Sequence, residues 1–149
     1  MATKKQRSVF WIVSTHVLTT GFVMPTIAGV LGSNVIWATQ LSVVATFMIS
    51  LAFQSIGYIG GTYYSLSYIR KVALIENPVA CIKPSIITFA VLALIGFGVN
   101  VACFFVQEKQ GVNLLWIIMI GAFYIVIGVA FAKITQQGFS RMEPHVMET

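Results

Sequence analysis

VNLLWIIMIGAFYIVIGVAFA, from Val112 to Ala132, runs for 21 residues without an Asp, Glu, Lys or Arg. The hydrocarbon core of a bilayer is about 30 Å thick and takes about 20 apolar residues to cross as a helix. This stretch has that length. Three more charge-free stretches precede it: Ser8–Leu31, Val35–Ile59 and Ser85–Val106. The pattern predicts an all-α integral membrane four-helix bundle, made of two antiparallel transmembrane hairpins. Composition agrees, with 58% of residues hydrophobic and 9% charged. Soluble domains carry about 25% charged residues, so a soluble fold would lack a surface. The segments outside the spans are too short to fold alone, and residues 1–149 read as a single transmembrane domain.

The formal net charge is +5. The basic residues form no groove-sized patch, which excludes a nucleic-acid surface. They flank the spans instead. Lys4, Lys5 and Arg7 precede the first, Arg70, Lys71 and Lys83 lie between the second and third, and Lys133 and Arg141 follow the fourth. Lys109 alone falls on the other side. Loops rich in Lys and Arg stay in the cytoplasm, which puts both termini there. The expected location is a bacterial inner membrane. The first apolar run is too long for the core of a secretory signal, which takes about 7–15 residues. Cys81 and Cys103 fall at opposite membrane surfaces, beyond the roughly 7 Å between Cα atoms that a disulfide allows.

Turns are expected outside at Gly32-Ser33-Asn34 and at Gln107–Gly111. Residues 60–84 read as a cytoplasmic interfacial loop and 134–149 as a cytoplasmic tail. Gly60-Gly61 is the expected break in the second span, because glycine weakens a helix. Beyond it, Tyr63, Tyr64, Tyr68, Arg70 and Lys71 form a candidate interfacial anchor, since Tyr favours the headgroup layer and Arg and Lys stems snorkel there. A partner-docking segment is the other reading. Pro78 and Pro84 bracket the approach to the third span.

Polar residues inside the spans fall on faces. His16, Thr19 and Thr20 share one side of the first helix, with Thr15 and Thr26 alongside. Thr39, Ser42, Thr46 and Ser50 make a stripe on the second, with Gln54 at its margin and Gly57 in line. Such residues are a helix-packing seam or a solute pathway, and both readings stand at this point. His16 is the one ionisable side chain inside a span, and intramembrane ionisable groups are functional candidates by default. Gln54 is its expected partner, by depth. Pro25 should kink the first span and free the Gly21 carbonyl. Asn100 is expected near Met24 and Pro25, or paired with Gln40 or Thr46. Gly96, Gly98, Gly121, Gly128 and Ala132 form a candidate packing seam, because small residues let helix backbones approach.

No span carries a carboxylate for proton-coupled export. One chain cannot supply a bis-histidine haem site, because His145 is in the tail. No nucleophile–base set, metal-binding motif or phosphate loop occurs. No catalytic residue, metal or cofactor is expected. The residues favour a non-enzymatic structural, accessory or assembly subunit of a membrane complex. Its partners would be the bilayer and other membrane subunits or further copies of itself. The alternative is a small oligomeric channel or transporter using His16 and the hydroxyl stripes, and a third reading is a haem- or quinone-binding anchor.

Overall fold

The computed structural model describes residues 4–39, 42–107 and 114–144, with backbone alone at 43–44 and 103–107. Among these residues the chain is built almost entirely of helix. Helix α1 (Val9–Leu18) is capped by Ser8, whose hydroxyl accepts from the Trp11 amide at 3.2 Å. A π-helical turn follows at Thr19–Val23, and α2 (Met24–Thr39) continues the same rod. Helix α3 (Val43–Val72) starts at Ser42, which caps it through the Ala45 amide at 3.4 Å. Helices α4 (Ile82–Gln107) and α5 (Leu114–Ser140) complete the described helices. A short 3-10 turn, Pro78–Cys81, leads into α4, with Asn77 as its cap and Pro78 in the first turn. Proline is tolerated there because its missing N–H would have had no helical partner.

Three helical stretches are long and apolar enough to cross a membrane: Val9–Thr39, Pro78–Ala102 and Leu114–Ser140, of 31, 25 and 27 residues. Helix α3 has 30 residues, a length of about 45 Å at the usual rise, and it is more polar in its second half.

Two boundaries differ from the sequence reading. Gly32, Ser33 and Asn34 lie inside α2, and the helix ends only at Thr39. A β-carbon on Gly32 would meet the Phe53 side chain at 2.9 Å, so this glycine allows α3 to approach rather than turning the chain. Ser33 donates to the Val30 carbonyl at 2.8 Å and is satisfied within its helix. Likewise α3 runs unbroken through Gly60-Gly61 to Val72. A β-carbon on Gly61 would lie 2.9 Å from Met24 Cβ and 3.1 Å from Thr20 Cα. Close packing against the π turn offsets the helix penalty of about 1 kcal/mol that glycine carries. The turn expected at Gln107–Gly111 lies, beyond Gln107, outside the described residues, as does the tail beyond Pro144.

The π turn is the local answer to Pro25. The Met24 amide reaches back five residues to the Thr19 carbonyl. This wider ring carries the helix past a residue that has no N–H to give. The kink expected at Gly21 is thus a π turn that contains Gly21.

The ends of the described chain meet. Strand β1 (Lys5–Gln6) pairs in parallel with β2 (Ala73–Leu74), and the Arg7 amide donates to the Leu74 carbonyl at 3.3 Å. The Gln6 side chain donates to the Glu76 carboxylate. Lys4 and Glu143 line one cavity. At this basic end the core is dense: Ile12, Val17, Ile69, Cys81, Phe89, Phe131 and Phe139 are all buried. The far end is thinner, with Trp37 exposed to 87%.

Candidate functional site

The best-defined polar centre in the described residues surrounds His16. α1 carries His16 inward between α3 and α5, and its side chain is fully buried. Its Nδ1 lies 2.6 Å from Ser65 Oγ, and its Nε2 lies 2.9 Å from Thr135 Oγ1. The Ser65 hydroxyl donates to the Thr62 carbonyl at 3.0 Å. That leaves the serine oxygen to accept, so the network assigns the ring proton to Nδ1 and makes Nε2 the acceptor for Thr135. Thr20, buried in the π turn, adds a contact of 3.4 Å to the same serine oxygen. One imidazole therefore ties three helices together.

Aromatic packing closes the centre. Phe131 stacks on the His16 ring at 5.0 Å and Phe139 meets it edge-on at 5.5 Å. Phe89 of α4 stacks on the other side of Phe131 at 3.9 Å. On α5, Phe131, Thr135 and Phe139 are spaced four apart and so share one face. Beside Phe89, the buried Ser85 hydroxyl has no hydrogen-bond partner among the described residues.

A second polar cluster lies farther along the bundle. Asn100 donates through Nδ2 to the Tyr124 hydroxyl at 2.8 Å and to its own helix at the Gly96 carbonyl, 2.9 Å away. Tyr58 of α3 packs edge-on against Phe89 of α4 at 6.0 Å and against Phe123 of α5 at 6.3 Å, beside Tyr124. This cluster joins α3, α4 and α5. Gly96 makes room for it: a β-carbon there would be 2.9 Å from the Tyr124 oxygen.

The structure places the other sequence-derived candidates as follows. Gln54 is half-buried on α3, and the imidazole has Ser65 and Thr135 in its place. Asn100 pairs with Tyr124, not with Thr46 or the backbone at Pro25; Gln40 is outside the described residues. Thr19 is half-buried, and Thr26 and Thr39 are exposed, donating at 2.7 and 2.8 Å to the carbonyls of Phe22 and Val35. Ser42 is the α3 cap, while Thr46 and Ser50 are half-buried on α3.

The glycine seam moves. A β-carbon on Gly98 or Gly128 would have nothing within 4 Å among the described residues, and one on Gly121 only an ordinary contact of 3.7 Å with Phe97. Ala132 is half-buried. The tight approach between helices is instead at Gly57 and Gly61 of α3 against the π turn and Pro25. Tyr63, Tyr64 and Tyr68 point outward, as do Arg70 and Lys71, while Thr62, Ser65, Leu66 and Ile69 face the core. The anchor residues thus form the outer face of α3 itself.

Ser65, Thr135, Tyr58 and Tyr124 are the partners that sequence reasoning missed. Their signal was spacing: Tyr58, Thr62 and Ser65 fall at helical intervals, as do Phe131, Thr135 and Phe139. Among the described residues no group of three or more His, Cys, Asp or Glu side chains could hold a metal ion.

The cavities lie at the basic end. One, of about 520 Å³, is lined by Lys4, Arg70, Arg141 and Glu143 among others. A smaller one of about 220 Å³ opens between α3 and α5. No protein-family model, curated protein or solved structure matches the chain.

Proposed function

We propose that this chain is a four-span membrane protein, with α3 as a crossing and both termini cytoplasmic, acting as a non-enzymatic structural or assembly subunit of a membrane complex. The observation that carries this reading is that both ring nitrogens of His16 are occupied by hydroxyls of other helices. The interior ionisable group is used to hold helices together. A hydroxyl-lined pathway would need side chains free to meet a solute, whereas Thr26, Thr39 and Ser55 donate to carbonyls of their own helices. The outward faces are apolar, with Phe10 81% exposed and Leu94, Ile125 and Val126 also exposed. Such surface suits lipid and neighbouring spans. In a membrane the crowding of Lys and Arg at the β1–β2 end favours a cytoplasmic location for that end.

Affinity purification from native membranes in mild detergent, followed by native mass measurement, tests the proposal. A stoichiometric membrane partner or a defined self-assembly is expected. A strictly monomeric protein that brings nothing with it would remove the subunit reading.

A further inference from the structure

Two of the cavities at the basic end share Arg70, Arg141 and Met142. The smaller one is a groove between α3 and α5, walled by Tyr63, Leu66 and Ser67 on one side and Ile134, Gln137 and Gly138 on the other. Leu66, packed against Gly138, forms its floor, Ile134 and Met142 give it apolar surface, and its mouth carries the two arginines. Arg70 is held in place: its Nη2 donates to the Arg141 carbonyl at 3.2 Å, at the C-terminal end of α5. A guanidinium has five N–H donors in a planar fork, so most of them remain available after that bond. Lys4 adds a third positive charge to the larger cavity and Glu143 opposes with one negative charge. Tyr63 and Tyr68 are exposed nearby on α3, residues that favour the headgroup layer.

We infer that this groove is a binding site for an anionic glycerophospholipid. The phosphodiester would lie between Arg70 and Arg141, where paired guanidinium forks suit phosphate oxygens. The polar headgroup would occupy the larger cavity beside Lys4. One acyl chain would lie along the outer rim of the groove, against Tyr63 and Ile134. Basic pockets between spans at the cytoplasmic surface take such headgroups for this reason. The combination of charge at the mouth and an apolar wall below favours a lipid over a free phosphate, which would use only the mouth. The inference rests on the reading that these helices cross a bilayer with this end at its cytoplasmic surface.

The test offers the full-length protein, in mild non-ionic detergent, equal amounts of phosphatidylglycerol and phosphatidylcholine with matched chains. Retained lipid is read by native mass spectrometry. Phosphatidylglycerol should be retained over phosphatidylcholine by about 25-fold, since each of the three basic residues contributes roughly five-fold and Glu143 cancels one of them. In the double variant Arg70→Gln, Arg141→Gln the preference should drop to within about two-fold. Arg141→Gln alone keeps the backbone carbonyl that Arg70 uses, and should lose about five-fold. It carries the test if the double variant does not fold. Equal retention of the two lipids by the native protein overturns the inference, as does an undiminished preference in Arg141→Gln. Displacement of phosphatidylglycerol by excess inorganic phosphate would overturn the lipid as occupant. Carbonate extraction of native membranes separates the two readings. Release of the protein by carbonate removes the membrane reading and this inference together; retention without a lipid preference removes this inference alone.

Discussion

A β-carbon on Gly57 would lie 2.7 Å from the Cα of Pro25 and 2.9 Å from the Met24 carbonyl oxygen. Both neighbours are backbone atoms and cannot swing aside. Gly57→Ala should therefore push α3 away from the start of α2 and destabilise the protein by about 1–3 kcal/mol, the usual cost of overpacking. Gly60→Ala, three residues on, meets nothing within 4 Å among the described residues. It should be neutral or stabilising by up to about 1 kcal/mol, from helix propensity alone. Reversible unfolding in mixed detergent micelles measures both. Equal effects from the two substitutions would refute the close approach.

The His16 centre predicts coupling between distant residues. Thr135→Val removes one hydroxyl at nearly constant volume and should cost about 0.6–1.7 kcal/mol, the range for hydrogen bonds between spans. Ser65→Ala should cost about as much. His16→Ala should cost more, about 2–4 kcal/mol, because it also leaves a cavity under Phe131. In a double-mutant cycle, His16→Ala combined with Thr135→Val should cost less than the two singles added together. Strict additivity would mean that the 2.9 Å contact contributes nothing.

The second cluster predicts a rescue. Gly96→Ala would drive a methyl against the Tyr124 hydroxyl at 2.9 Å and should destabilise by about 1–2 kcal/mol. Tyr124→Phe on its own should cost about 1 kcal/mol, through the lost bond to Asn100. Joined together, the two should be less harmful than their sum, because removing the oxygen opens the space the methyl needs. Thermal denaturation of the four proteins in one detergent decides it.

Cys81 is fully buried beneath Ile12 and Ile69 in the dense end of the bundle. In a Cys103→Ser background its thiol should react with a soluble maleimide only after denaturation. Labelling of the native protein at the rate of a free thiol would show that the packing around the 3-10 turn is wrong.

Length and apolar character made the helices legible, since a charge-free run such as Val112–Ala132 has few other fates. The ends of the helices were not legible. No Asp, Glu, Lys or Arg occurs from Ser8 to Ile69, so nothing in that interval marks where the chain turns. From sequence alone glycine suggests a breaker at Gly32 and Gly61, whereas each is the gap that a neighbouring helix fills. That error hid the site's partners. With α3 expected to stop at Gly60, Ser65 was assigned to a loop, and with the last span ending at Ala132, Thr135 fell in the tail. His16 stood out because an ionisable group inside a span is conspicuous. Its hydroxyl partners did not, because Ser and Thr also bond to their own helices, as Thr62 does to Tyr58.

His16 and Thr135 stand 119 residues apart in the chain. During synthesis α1 is made long before α5. Until α5 is made, one nitrogen of that imidazole lacks the hydroxyl that satisfies it, and an unpaired polar group in apolar surroundings costs free energy. A chain truncated before Thr135 keeps that defect permanently. The pairing that completes the imidazole, and with it the joining of α1 to α5, therefore waits on the last helix to be made.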